Sequence, residues 1–300
     1  MSERPTVRPV TLARLVEVTH VCEGASHTTV EIEENLDVSH RRARETILEA
    51  LRIGLLGEYD PDDEDESAWY MTTSVGIEFL TAVRAEDWSR VSRILETRSR
   101  HYKALLRTLE ATAPADLDTV LEELETREEH TGRSYNQTSI EVLGDWAERL
   151  GRVQRNAFTG SYYPVERGNS SANFPHVLLS VFDDLEQTAG VSLRQRYLSI
   201  PKLREHFCER VGCPRRAFDQ ALLALAQQNV GKVELSGAPF DTGAKDAALG
   251  IKEMTLAESG GLVSTSQSTE QVMAGVEQFG KQYYYLAIHE RDLVYTTDDD

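Results

Sequence analysis

Between Thr28 and Leu56 the chain reads TTVEIEENLDVSHRRARETILEALRIGLL, and this stretch constrains the fold more than any other. Its apolar residues fall at helical spacing twice, on either side of a short polar interruption. Thr28 or Thr29 caps a first short helix with Val30, Ile32 and Leu36 inward. Asp37, Val38 and Ser39 form a turn, and Ser39 caps a second helix on which Ala43, Ile47, Leu48 and Leu51 face a core. Gly54 stops that helix, since glycine accepts the left-handed backbone that ends many helices. A helix over Thr11–Val21, with Leu12, Leu15, Val16 and Val18 on one face, precedes the pair. A strand over Leu55–Tyr59, a turn PDDEDES, a return strand over Ala68–Thr72 and a helix in TSVGIEFLTAVRAEDW follow it.

Two helices about a tight turn, a third helix and a hairpin make a winged helix, here over residues 9–88. In that fold the outer side of the second helix of the pair enters the major groove of DNA. Here that side carries His40, Arg41, Arg42 and Arg44. Arginine bridges phosphates or reads guanine edges bidentately. The plain alternative is a solvated face paired to Glu45 and Glu49. Against DNA contact stands the turn of the hairpin, where Asp60, Asp62, Asp63, Glu64, Asp65 and Glu66 would repel phosphate.

The string from TTVEIEENLDVSHRRARETILEALRIGLL through MTTSVGIEFL resembles the winged helix-turn-helix regulators common in haloarchaea, and is similar to MarR- and IclR-type winged helices more broadly. The resemblance spans about the first 85 residues. It implies that Ser39, His40, Arg41, Arg42 and Arg44 sit at groove-facing positions. It is specific for fold and not for function, because winged helices also mediate protein–protein contact. The acidic turn departs from the family pattern.

The same order of elements recurs twice. Over residues 89–167 the pattern predicts a long helix from Ser89 to Ala111, a break at Pro114, and a helix capped by Asp116. A third helix carries Ile140, Leu143, Trp146, Ala147 and Leu150 inward, and a hairpin turns at Thr159-Gly160. Its candidate DNA contacts are Arg133, Asn136, Gln137, Arg152 and Arg155; Asn136 and Gln137 serve equally well as helix caps. After a polar linker, ERGNSSANF, residues 174–290 repeat the pattern, with an enlarged wing between Gly237 and Gly280 that holds a helix in STEQVMAGVEQF. Lys202, Arg204, Arg215, Arg216 and Gln220 are the groove candidates there. From Ile200 to Arg216 five basic residues face Glu205 and Glu209. The fold class is therefore α+β, mainly α, with three tandem winged-helix domains.

Composition narrows the function classes. The net charge is −18, and only six of the 32 basic residues are lysine. Excess carboxylate with scarce lysine is the pattern of halophilic proteins, whose acidic surfaces hold water and cations. Such a charge reports on solubility, not on fold, and leaves local DNA binding open. Three cysteines, Cys22, Cys208 and Cys213, fit a reducing interior. The first residues, MSERPTVRPV, lack the apolar run of a signal peptide, and no run is long enough to span a bilayer. These readings point to a cytoplasmic protein without a membrane partner. There is no GxxxxGK[ST], HExxH or GxSxG motif. Cys208, Cys213 and His206 lack the second ligand pair of a zinc site. No catalytic residue, cofactor or metal is expected. Two readings remain. One is a transcriptional regulator or architectural factor that binds double-stranded DNA and is not an enzyme. The other is a non-catalytic adaptor that joins other protein subunits of a chromosome-organising complex or of a defence complex against foreign DNA.

Overall fold

A computed structural model describes residues 7–59, 68–126, 134–165, 173–188, 197–237, 254–255, 262–263 and 272–296. It is mainly helical, with small antiparallel sheets. Contacts divide the chain into two units, one of residues 1–153 with 252–266 and one of 154–251 with 267–300. Three units were expected from the sequence. Among the described residues, no helix is long and apolar enough to cross a membrane.

The first unit begins with α1 (Leu12–Val21), capped by Thr11, whose hydroxyl accepts from the Arg14 amide. Leu12, Leu15, Val16 and Val18 are buried, as their spacing predicts. Strand β1 (His27–Thr28) runs directly into α2 (Thr29–Leu36). Thr28 and Glu31 close a reciprocal capping box there. Ile32 and Leu36 are buried, but Val30 is 57% exposed, because its position in the first turn faces away from α1 and α3. Helix α3 (His40–Ile53) ends at Gly54 with φ 83°.

Strands β2 (Leu56–Tyr59) and β3 (Trp69–Thr72) pair antiparallel, and β1 adds to the other edge of β3. The sheet order is β1-β3-β2. The acidic residues expected at the hairpin turn, Asp60 to Glu66, lie outside the described residues. Helix α4 (Ser74–Arg84) then packs close to the sheet. Gly76 permits this approach, since a Cβ there would meet the Leu55 carbonyl and stand 2.6 Å from the Thr72 methyl.

The single helix expected from Ser89 to Ala111 is two, α5 (Trp88–Arg98) and α6 (Arg100–Thr112). Ser99 takes an extended backbone, φ −103° and ψ 106°, and its hydroxyl accepts from the Tyr102 amide to start α6. A capping serine competes with helix continuation, and here it wins. Asp116 accepts from the Thr119 amide at the head of α7 (Leu117–Thr126), as expected. Helix α8 (Gln137–Arg149) buries Ile140, Leu143, Trp146 and Ala147.

These helices group with the first unit. α5 packs on α4, and the Trp146 indole donates to the Val10 carbonyl at 3.0 Å, 136 positions back along the chain. The short pair β8 (Met254–Thr255) and β9 (Leu262–Val263) also belongs to this unit.

Strands β4 (Val153–Arg155) and β5 (Tyr162–Pro164) form the predicted hairpin. The second unit continues with α9 (Phe174–Thr188), β6 (Leu198–Ser199), α10 (Ile200–Val211), α11 (Arg215–Gln228) and β7 (Val233–Ser236). Phe174, Phe207 and Phe218 meet with ring centroids 4.9, 5.8 and 5.2 Å apart and form its aromatic centre. The return strand expected over Lys281–Ile288 is broken at Tyr284 into β11 (Lys281–Tyr283) and β12 (Tyr285–Ile288).

β12 lies between β6 and β7, giving the order β6-β12-β7, while β11 pairs with β10 (Val276–Gln278). The helix expected in STEQVMAGVEQF is thus a strand at its C-terminal end. Gly275, with no room for a Cβ against Tyr283, and the left-handed pair Phe279-Gly280 set up a hairpin instead. The last described residues are held too: Asn229 and Gln228 exchange hydrogen bonds with the backbone of Val294 and Thr296.

Candidate nucleic-acid interface

Helix α2 ends at Asp37 in the left-handed region, φ 48°, and Ser39 turns the chain into α3. Ser39 occupies the cap position expected of it, but its side chain makes no capping hydrogen bond. The buried face of α3 is Ala43, Thr46, Ile47, Glu49, Ala50 and Ile53. Leu48 and Leu51, expected inward, are only half-buried. Glu49 is the surprise on that face, fully buried between Arg8 at 3.6 Å and Arg52. Burial raises its carboxyl above the ordinary range, against the lowering pull of Arg52 and Arg8.

With that face inward, His40, Arg41, Arg42 and Arg44 are all exposed. Arg41, with a side chain 87% exposed, reaches Glu45 at 3.3 Å, and His40 meets Glu33 at 3.0 Å. Arg42 and Arg44 make no ion pair among the described residues. Glu33, Glu34 and Asp37 lie at the end of α2, so the cations of α3 do not stand in a uniformly positive field. The geometry offers two unpaired and one loosely paired guanidinium on the outward side of the second helix of the pair.

The second unit repeats the arrangement with a different outcome. Its order, α9-β6-α10-α11-β7-β12 with the β10-β11 hairpin inserted before β12, and its sheet, β6-β12-β7, match α1-β1-α2-α3-β2-β3 and β1-β3-β2. Yet Arg204 and Arg215, expected to face DNA, are 2% and 5% exposed. Arg215 donates to both oxygens of the fully buried Glu205, at 2.6 and 2.8 Å, and to the Arg155 carbonyl at 2.7 Å. Glu205 also accepts from the Ala157 amide at 2.8 Å. Arg204 pairs with Asp219 at 2.7 Å and donates to the carbonyls of Val272 and Ala274. Both guanidiniums are thus internal tethers, one on the fully buried Glu205 and the other on the half-buried Asp219 and two carbonyls. Arg216 and Gln220 remain exposed, and Lys202 is half-buried.

The other candidates are accounted for locally. Asn136 caps α8, accepting from the Ser139 amide, and Gln137 donates to Asp118 at 3.2 Å. Arg152 spans Glu96 at 2.8 Å and Glu110 at 3.7 Å and donates to Ser92. Arg155 donates to the Gly160 carbonyl and lies 5.2 Å from the centre of the Tyr162 ring. Arg133 lies outside the described residues. Arg152, Arg155, Arg204 and Arg215, expected as DNA contacts, are thus each engaged inside their own unit.

The sequence reading passed over the most basic stretch of the chain. From Trp88 to Arg107 there are six arginines and lysines and a single acid, Glu96. A running charge count finds it; a search confined to helix-turn-helix positions does not.

Cys208 and Cys213 are buried with their sulfurs 3.7 Å apart, and burial pushes the Cys208 thiol up. His206, also partly buried, is lowered by that burial and then by Lys202. Among the described residues, no group of three or more His, Cys, Asp or Glu is placed to hold a metal ion.

No protein-family model matches the chain, and no curated protein matches it. Two solved structures are similar in chain path, an SspB crystal structure and a magnesium ion-bound SspB crystal structure. The first has a TM-score of 0.40 at 12% identity, covering 79% of this chain and 81% of that one. The second has a TM-score of 0.38 at 11% identity, covering 81% of this chain and 82% of that one.

Proposed function

We propose that this chain is a non-enzymatic, cytoplasmic DNA-binding protein, a transcriptional regulator or architectural factor, whose first unit docks α3 in the major groove of double-stranded DNA. The order α1-β1-α2-α3-β2-β3, with β1-β3-β2 pairing, supports a winged-helix reading of residues 9–88, and the second unit repeats that order. The observation that carries the reading is the exposure of Arg42 and Arg44 on the outer face of α3 without an ion-pair partner among the described residues. In a chain of net charge −18, unmatched arginines at that position are out of keeping with a merely solvated face. A bidentate arginine–guanine contact discriminates by about 1–3 kcal/mol.

One observation favours a second role for the other unit. There Arg204 and Arg215 are held internally, which leaves the helix equivalent to α3 with Arg216 as its only exposed arginine. That suits contact with another protein subunit better than contact with phosphate. An adaptor that binds DNA through one unit and a partner through the other reconciles the two readings.

The test is fluorescence anisotropy of labelled duplex DNA, with KCl stepped down from about 1 M, for the wild type and an Arg41→Ala/Arg42→Ala/Arg44→Ala variant. Salt-sensitive binding that the variant loses supports the reading. A wild type that binds no duplex at any salt where it stays folded refutes it and leaves the adaptor role alone.

A further inference from the structure

A second set of exposed cations in the first unit lies on α5 and α6. On α5, Arg90 and Arg93 stand one turn apart and Arg98 ends the helix; on α6, Arg100, Lys103 and Arg107 follow at i, i+3 and i+7, a single stripe. All six side chains are exposed. The stripe on α6 spans roughly 10 Å at the helical rise. Arg90, Arg93 and Arg98 border one open cleft of about 350 Å³, with Glu78 and Thr97 also on its wall. Arg90 is paired to Glu78 at 3.1 Å, whereas Arg93, Arg98 and Lys103 make no ion pair among the described residues.

Several other exposed arginines have carboxylate partners: Arg84 with Glu23, Arg210 with Asp184 at 2.6 Å, Arg291 with Asp183 at 2.6 Å. The only acid of this stretch, Glu96, faces Arg152 at 2.8 Å and is neutralised by it. Like charges three and four residues apart repel, so the helices gain nothing from this arrangement. A chain with 50 acidic residues places a single one between Trp88 and Arg107, and leaves Arg93, Arg98 and Lys103 open to an outside polyanion.

From this we infer that the exposed cations of α5 and α6 bind the phosphodiester backbone of duplex DNA, a second contact that positions the first unit while α3 reads bases. Arginine and lysine without a sequence-reading partner act on phosphate, giving affinity and salt dependence in place of sequence preference. The inference rests on the DNA-binding reading and assigns it a separate surface.

The decisive variant is Arg93→Gln/Arg98→Gln/Lys103→Gln, measured on labelled duplexes of several sequences beside the α3 triple variant and the wild type. Loss of three phosphate contacts lowers the slope of log affinity against log salt by about 0.9 each. Between 50 and 200 mM KCl, the variant then loses roughly 40-fold less affinity than the wild type. Affinity at low salt falls evenly across sequences, and Arg93→Lys/Arg98→Lys retains it, since lysine keeps the charge. An unchanged slope and affinity in the glutamine variant, with its circular dichroism intact, overturns this inference alone. Loss in the glutamine variant with none in the α3 variant upholds it and removes base reading by α3. A wild type that binds no duplex overturns both.

Discussion

Replacing Arg215 with methionine tests the claim that this guanidinium is a tether and not a DNA contact. In the wild type it gives Glu205 two of its three hydrogen bonds, the third coming from the Ala157 amide, and it satisfies the Arg155 carbonyl. Glu205 is fully buried, so removing its partner strands a charge where water cannot reach it. Breaking one side of such a pair costs about 3–5 kcal/mol. At a urea slope of about 2 kcal/mol per molar, the midpoint falls by roughly 2 M.

The assay can localise the effect. Trp69, Trp88 and Trp146, the only tryptophans, all lie in the first unit, so their emission reports that unit while circular dichroism reports both. Arg215→Met should bring the circular dichroism transition to lower urea and leave the tryptophan transition nearly in place. A Glu205→Leu/Arg215→Met double variant should recover to within about 1–2 kcal/mol of the wild type, since a matched apolar pair replaces a buried ion pair at little cost. It should also bind duplex DNA as the wild type does. A single variant that loses less than about 1 kcal/mol, or a double variant that stays stable but loses DNA affinity, would refute the tether argument.

Three further outcomes follow from local geometry. Gly76→Ala drives a Cβ into the Leu55 carbonyl and the Thr72 methyl, and should destabilise the first unit by about 1–3 kcal/mol in urea titration; a neutral result would mean that α4 is free to shift. The pKa of His206 is lowered by burial, so its contribution is complete above the ordinary value of 6.5 and is lost as pH falls through the lowered one. His206→Asn should therefore flatten the acid side of the stability profile below pH 6.5, and an unchanged slope would contradict the burial argument. Burial raises the Cys22 thiol to about 12 and Cys208 upward as well, so neither should react with an aromatic disulfide reagent at pH 8 until the protein unfolds; rapid labelling in native buffer would show that they are accessible.

Periodicity made much of the fold legible. The faces of α1 and α8 can be read from Leu12, Leu15, Val16 and Val18 and from Ile140, Leu143, Trp146 and Ala147, because each face is apolar throughout. The face of α3 could not be placed correctly, because Thr46 and Glu49 take core positions that Leu48 and Leu51 seemed to claim. A buried glutamate is visible only with its partners, and Arg8 is 41 positions away. The break at Ser99 was hidden for a related reason: serine suits a helix surface and a cap alike, and only the Tyr102 amide decides between them.

Arginines were the least legible. Arg215 and Arg216 are neighbours of one type, and one is buried on Glu205 while the other is exposed. Which way each points depends on the residues it meets across the α10–α11 packing, and helical spacing alone carries no record of that.

The matched topology of the two units sets two very different connections in the same frame. In the first, the connection from the outer strand β2 to the central strand β3 runs from Tyr59 to Trp69; in the second, the equivalent connection from β7 to β12 runs from Ser236 to Tyr285. Closing a loop about five times longer costs only about 1.5 kcal/mol more, because the penalty grows with the logarithm of length. β12 still docks between β6 and β7 after that excursion, with four residue pairs on the β7 side. At this position the three-stranded frame therefore accepts a long connection with little loss of stability.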